Sequence, residues 1–300
     1  YYGIAVDPIN RQVILGGTQD NGTDRRRMAD DDTFDTVLGG DGFECAINPT
    51  IPDSQFATIY NTAVYRIMPP STSFPFISPQ FTENAPFITP LTLHPTRPQT
   101  VFTGTTMLWR SDNNGNSWFS LPFDTFNDVT NGVWSTTTLV WAIAVSLTEP
   151  DRIAVSKGGT VMNSTDGGRT WIMAIMPRTA VTVDISPHDP NLVLAGLTAS
   201  SSGTSGVMRS TDGGRFFLPS GSGLPTHNVQ SIKFHPTDPS VAFAGTDVGL
   251  YRSDDAGLTW NRVQGLPAVS VHDIKILPDR SLLRVGSYGR GIWELVMDTP

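Results

Sequence analysis

Apolar residues run along this chain in short bursts, each ended by a proline or glycine turn. Ile4-Ala5-Val6 stops at Asp7-Pro8 and resumes as Val13-Ile14-Leu15-Gly16-Gly17. The phrase returns as Ala46-Ile47-Asn48-Pro49 before Phe56-Ala57-Thr58-Ile59-Tyr60, and as Leu91-Thr92-Leu93-His94-Pro95 before Val101-Phe102-Thr103-Gly104. Ala142 to Leu147 precedes Ile153-Ala154-Val155 in the same way. Three further copies end at Pro187, Pro236 and Pro278, with their second runs closing on Gly196, Gly245 and Gly286. Short apolar runs bounded by Gly, Pro, Asn and Asp read as strands. No stretch carries the spacing of an amphipathic helix, and prolines are spread throughout.

The matched positions 8, 49, 95, 147, 187, 236 and 278 are separated by 41, 46, 52, 40, 49 and 42 residues, so seven units of about 43 fill the 300-residue chain. Four strands of roughly five or six residues with their turns need a unit of that size. A second phrase recurs inside the units. Ser164-Thr165-Asp166-Gly167-Gly168-Arg169-Thr170-Trp171 is the cleanest copy, and Arg252-Ser253-Asp254-Asp255-Ala256-Gly257-Leu258-Thr259-Trp260 repeats it. Ser210-Thr211-Asp212-Gly213-Gly214-Arg215-Phe216-Phe217 ends on Phe217 in place of Trp, and Ser111 to Trp118 carries Asn113 in place of Asp. Each reads as strand, tight turn, strand. The acid is placed to accept from backbone N–H groups of its own turn. The glycines, Gly115, Gly168, Gly214 and Gly257, supply a positive φ. Their separations of 53, 46 and 43 residues belong to a repeat architecture. The expected fold is all-β: a seven-bladed β-propeller of four-stranded antiparallel blades in one domain, residues 1–300. In each blade the first run lies innermost and the run after the turn outermost.

S-x-D-x-G-x-T-W resembles the Asp box, or bacterial neuraminidase repeat, of sialidases, sortilin-type propellers, xyloglucan-hydrolase propellers and propeller-type photosystem assembly factors. The resemblance implies a propeller whose boxes are structural hairpins remote from any active site. GGTQDNGT, GGDG and the closing GSYGRGIWEL are similar to phrases of secreted Asp-box proteins. A sialidase likeness implies an arginine triad, a Tyr–Glu nucleophile pair and an acidic acid/base. The Arg-Ile-Pro phrase of such enzymes is absent, and Met176-Pro177-Arg178 lies in the wrong blade and order. Arg110, Arg209 and Arg252 recur in the Arg-Ser phrase before a box, which marks them as structural. Xyloglucan-cleaving enzymes resemble two facing propellers with carboxylates about 5–9 Å apart, and this chain has one propeller.

Composition narrows the partners. The net charge is −8 with 28 Asp and Glu against 20 Lys and Arg, so nucleic acid and anionic membrane are not expected to bind. No apolar run is long enough to span a membrane. The single cysteine, Cys45, lies in Phe43-Glu44-Cys45-Ala46-Ile47 and is expected as an inert buried thiol. His94 and His235 stand just before the repeat proline and His188 just after it, a feature of the repeat and no metal-binding pattern. Asp30-Asp31-Asp32 could hold Ca²⁺ but lacks the alternating spacing of a calcium loop, and no other cofactor is expected.

The candidates for binding are Asp20, Asp41 and Asp247, each beside a glycine-rich turn and expected near one mouth of the propeller channel, with Trp134 in the loop-like NDVTNGVWSTTT. Asn21 and Asn163 head N-x-S/T sequons and would accept glycans in a compartment that attaches them. The final unit has three strands, and the chain opens directly on a strand at Tyr1-Tyr2-Gly3-Ile4-Ala5-Val6. The chain is therefore expected to be part of a longer one, with its last blade completed by a strand from elsewhere, including another copy in an oligomer or filament. The resulting expectation is a non-catalytic, extracellular or cell-surface module that binds protein or glycan or builds an assembly. A glycoside hydrolase is the alternative.

Overall fold

The structure, a computed structural model, describes residues 1–26, 33–68, 74–123, 126–128 (backbone only), 137–201, 206–277 and 282–297. Trp134, the Asp30-Asp31-Asp32 run and Pro278 lie outside the described residues. Those residues form strands and turns with no helix. They make seven sheets, the blades of a β-propeller fold. The chain divides into two compact units, Tyr1–Ser120 with Lys275–Pro300, and Leu121–Ile274.

In the first unit, the leading sheet is a meander of β1 (Gly3–Val6), β2 (Ile14–Thr18), β3 (Gly22–Arg26) and β4 (Asp35–Leu38). The second holds β5 (Gly42–Ile47), β6 (Gln55–Ile59) and β7 (Ala63–Ile67), with Phe76 bridging Tyr65 where a fourth strand would run. The third runs β8 (Leu91–Leu93), β9 (Val101–Gly104), β10 (Leu108–Ser111) and β11 (Phe119–Leu121). Ala5, Leu15 and Val37 pack on Cys45, Ile47, Ala57 and Ile67, joining the first sheet to the second. Cys45 is buried there, as expected.

The second unit opens with β12 (Phe126–Asp128), which lies parallel to β16. This adds a fifth strand to the meander of β13 (Val140–Val145), β14 (Ile153–Lys157), β15 (Thr160–Ser164) and β16 (Trp171–Ile175). Two further meanders follow. One is β17 (Ala180–Ile185), β18 (Val193–Leu197), β19 (Val207–Ser210) and β20 (Leu218–Pro219); the other is β21 (Val229–Phe234), β22 (Ala242–Thr246), β23 (Gly249–Ser253) and β24 (Asn261–Arg262). The last sheet has three strands, β25 (Val271–Ile276), β26 (Leu282–Ser287) and β27 (Ile292–Val296), of which β26 and β27 fall in the first unit.

Three of the glycines that close second runs have a packing reason. A Cβ built on Gly17 would stand 2.1 Å from the Phe43 carbonyl oxygen, on Gly196 2.8 Å from that of Val229, and on Gly245 2.6 Å from that of Val271. In each case the first strand of the following sheet passes directly over the glycine. Only a residue without a side chain lets two backbones come so close. The repeat unit thus encodes blade-to-blade spacing as well as strand order.

Candidate functional site

The recurrent hairpins share one set of hydrogen bonds. In the turn after β23, the Ser253 hydroxyl donates to Asp255 Oδ1 at 2.7 Å and accepts the Gly257 N–H at 2.8 Å. Asp255 Oδ1 accepts the N–H groups of Leu258 and Thr259, and Oδ2 accepts the Thr259 hydroxyl at 2.6 Å. Asp166 repeats this with Ser164, Arg169 and Thr170, and Asp212 with Ser210, Arg215 and Phe216. Asn113 accepts from Ser111 and the Ser117 N–H through its amide oxygen. Partial burial would raise these carboxyl pKa values. The converging donors outweigh it and hold Asp166 and Asp212 below the usual range and Asp255 at about 2.

Each hairpin also docks on the proline turn of its own sheet. Asn114 N–H bonds the Gln99 carbonyl, Gly167 that of Asp151, Gly213 that of Asn191 and Ala256 that of Ser240. The aromatics that close the hairpins reach backward along the chain. Trp260 Nε1 donates to the Ser220 carbonyl at 2.9 Å, and Trp118 Nε1 bonds that of Ile77. Trp171 packs 4.8 Å from the Phe123 ring. Phe217 packs on the core shared by the fourth and fifth sheets. Asn163, proposed above as a glycan acceptor, is 4% exposed. Its amide donates to the Gly214 carbonyl at 2.8 Å, so the acceptor nitrogen is committed and no sugar can reach it. Asn21 is exposed.

Of the acids singled out for binding, Asp247 lies at the opposite end of its sheet from the hairpin after β23. Asp247 follows β22, and its carboxylate accepts from Asn228 N–H and Nδ2, from Gln230 Nε2 at 2.8 Å and from the Ser270 hydroxyl. It is a brace that ties its turn to β21 and to the approach to β25. Asp20 follows β2 at φ 67°, and its N–H donates to Asp41 Oδ1 at 2.8 Å. The structure therefore brings Asp20 and Asp41 together, with Asp41 holding Asp20 in a left-handed turn.

Around this pair lies a cleft of about 740 Å³ lined by Tyr1, Tyr2, Thr18, Gln19, Asp20, Asn21, Asp24, Phe34, Thr36, Tyr288, Gly289 and Gly291. Tyr2 hydroxyl donates to Gln19 Oε1 at 3.0 Å. The Tyr1 and Tyr2 hydroxyls both titrate high. Burial is the main cause, with Asp24 adding to Tyr1, which reaches about 12, and Tyr288 and Asp41 adding to Tyr2. The rings continue as a row. Tyr288 meets Tyr2 edge-on at 5.8 Å, Tyr2 meets Phe43 at 5.1 Å, Phe43 meets Phe87 at 5.1 Å, and Phe87 stacks on Tyr60 at 6.3 Å. Tyr288, Phe87 and Tyr60 are 54%, 50% and 40% exposed. The turn under Tyr60 is fixed by Thr62, at φ 57°, whose N–H and hydroxyl bond Thr89 Oγ1 and the Gly104 carbonyl in the interior. Positive φ is costly for a β-branched residue, and these buried bonds hold it there.

Sequence reasoning found Asp20 and Asp41 but missed the row, whose members are scattered from Tyr2 to Tyr288. The one signal was indirect. GGTQDNGT, GGDG and GSYGRGIWEL, far apart along the chain, converge here, since they contain Gln19, Asp20, Asn21, Asp41 and Tyr288.

No protein-family model matches the chain, and no curated protein matches it. Solved structures do. An ancestral GH74 enzyme aligns with 66% of this chain at 21% identity and a TM-score of 0.53. YCF48 from Cyanidioschyzon merolae aligns with 97% of it at 13% identity and a TM-score of 0.70, covering 93% of that protein. This chain spans 27% of the GH74 enzyme's length. At these identities the likeness is one of fold.

Proposed function

We propose that the chain is a non-catalytic β-propeller module with Asp-box hairpins that presents a binding surface outside the cell. The observation that supports this most is how the acids are used. Asp166, Asp212 and Asp255 hold their own turns, Asp247 braces a turn, and Asp41 fixes Asp20. A glycosidase needs an acid and a base or nucleophile left facing the sugar, and the carboxylates of Asp166, Asp212, Asp255, Asp247 and Asp41 are committed to hydrogen bonds within the fold. The extracellular setting rests on the resemblance of GGTQDNGT, GGDG and GSYGRGIWEL to secreted Asp-box proteins. The experiment is turnover of a panel of neutral oligosaccharides by the unaltered chain and by Asp20→Asn and Asp41→Asn. The proposal expects no cleavage by any of them. Cleavage abolished by either substitution would establish a hydrolase instead.

A second role rests on β27. Among the described residues it pairs with β26 alone in its sheet, and Val296 is 82% exposed. An unpaired edge is a template for an added strand. In this reading a strand from outside residues 1–300 completes the sheet and joins the chain into an assembly. Light scattering on the complete protein should give an oligomer that Val296→Pro weakens; a monomer at all concentrations counts against it.

A further inference from the structure

We infer that the cleft beside Asp20 is a binding site for a neutral oligosaccharide; this rests on the binding-module reading and names its ligand class. Three features of the cleft point the same way. Its lining mixes aromatic faces with side chains of both hydrogen-bonding senses: carboxylates at Asp20 and Asp24, amides at Gln19 and Asn21, hydroxyls at Thr18 and Thr36. A pyranose has that dual character, an apolar C–H face and a rim of hydroxyls that donate and accept.

Size and charge then decide between ligand classes. At about 740 Å³ the cleft lies within the range of ligand sites, ~300–1,000 Å³, and the exposed rings of Phe87 and Tyr60 are linked to its Tyr2 through the buried Phe43. A single ammonium group held by aromatic faces would leave most of it unfilled. No Lys or Arg is among the described lining residues, and beyond burial, the main cause, Asp24 helps raise the Tyr1 hydroxyl pKa and Asp41 and Asp20 that of Tyr2. That negative field disfavours sialylated, uronic and sulfated sugars, leaving uncharged chains. Pre-organisation completes the case. Asp20 is held at φ 67° by Asp41, and Tyr60 sits on a turn locked by Thr62 and Thr89. Groups fixed before binding lose little freedom on binding.

The test is calorimetric titration of the chain with cellotetraose, xylotetraose, mannotetraose and maltotetraose, and with trigalacturonic acid as the charged control. At least one neutral sugar should bind saturably and the acidic one should not. Tyr288→Ala and Asp20→Ala should each weaken binding about tenfold, as expected for removal of a ring face or a hydrogen-bonding partner. Phe216→Ala, which removes a 71% exposed ring in the other unit, should leave affinity unchanged. Far-ultraviolet spectra and melting curves establish that each variant is folded. Asp41→Asn gives a second route, since it loosens the Asp20 turn without touching the rings. The inference is overturned by no binding of any neutral sugar, by binding that survives both Tyr288→Ala and Asp20→Ala, or by preference for the acidic trimer or for an oligolysine peptide at the cleft. Cleavage of a bound sugar would defeat the non-catalytic reading and leave the ligand class standing, so the two failures are distinct.

Discussion

Asp255 grips Thr259 at both of its carboxylate oxygens: Oδ1 accepts the Thr259 N–H at 2.8 Å and Oδ2 its hydroxyl at 2.6 Å. One side chain thereby satisfies the far limb of a hairpin whose near limb it already holds through Ser253. Asp255→Ala should cost about 1–2 kcal/mol, the range for losing a cap-like group from a partly exposed turn. Asp255→Asn should cost less, because Asn113 performs the same task in the turn after β10. Urea denaturation measures both. An alanine variant as stable as the parent would show that the turn holds itself.

The same contacts set an acid limit. The folded-state pKa of Asp255 is about 2, below its ordinary value of 3.8, and Asp166 and Asp212 are also lowered. A depressed carboxyl pKa contributes stability that is fully present above the unfolded value and is lost as pH falls through the folded one. Stability should therefore fall between about pH 4 and pH 2, and Asp255→Asn should flatten that fall. His272 adds an earlier step. Burial lowers its pKa from 6.5 to about 4, so the folded state resists protonation that the unfolded chain accepts. Stability should already decline from about pH 6.5 downward, and His272→Gln should remove that part alone. Melting temperature against pH separates the two windows, and a flat profile from pH 7 to 4 in the parent would refute the His272 step.

The two hairpin tryptophans predict unequal responses to one substitution. Trp260 Nε1 donates to the Ser220 carbonyl, whereas Trp171 Nε1 is buried without a partner among the described residues. Trp260→Phe should destabilise by about 1 kcal/mol or more through the orphaned carbonyl. Trp171→Phe keeps most of the packing on Phe123 and removes an unsatisfied donor, so it should be close to neutral. Equal losses from both would mean that ring volume alone decides.

Two glycines in the left-handed region separate strain from collision. Gly214 has φ +85°, and a Cβ there would lie 2.3 Å from the Asn163 amide; Gly289 also has φ +85° but faces open space. Gly289→Ala should cost only the backbone term, on the order of 1 kcal/mol. Gly214→Ala should cost clearly more, because Asn163 is itself buried and bonded. Thermal denaturation checks the ranking, and a Gly214 variant no worse than the Gly289 one would mean that Asn163 yields freely.

What could be read from the residues was what the repeat needs. Proline turns, run-ending glycines and the Ser-x-Asp-x-Gly hairpin are each demanded by a local backbone conformation, so they recur and gave the blades. Features set by contacts between distant residues left no such trace. The parallel strand Phe126–Asp128 is a short segment in a polar stretch whose pairing depends on β16. Asn163 reads as a glycan acceptor by motif and is a buried brace by packing. The row from Tyr288 through Tyr2, Phe43 and Phe87 to Tyr60 exists only because the sheet connections bring those rings to one end of the first unit.

Binding without chemistry is tested most directly by recovering the sugar. After calorimetric titration with the neutral tetrasaccharide that binds, at a protein concentration near that of the ligand and over a prolonged incubation, mass spectrometry should find the tetrasaccharide whole. Any shortened product from the unaltered chain, lost in Asp20→Asn or Asp41→Asn, would contradict the non-catalytic reading.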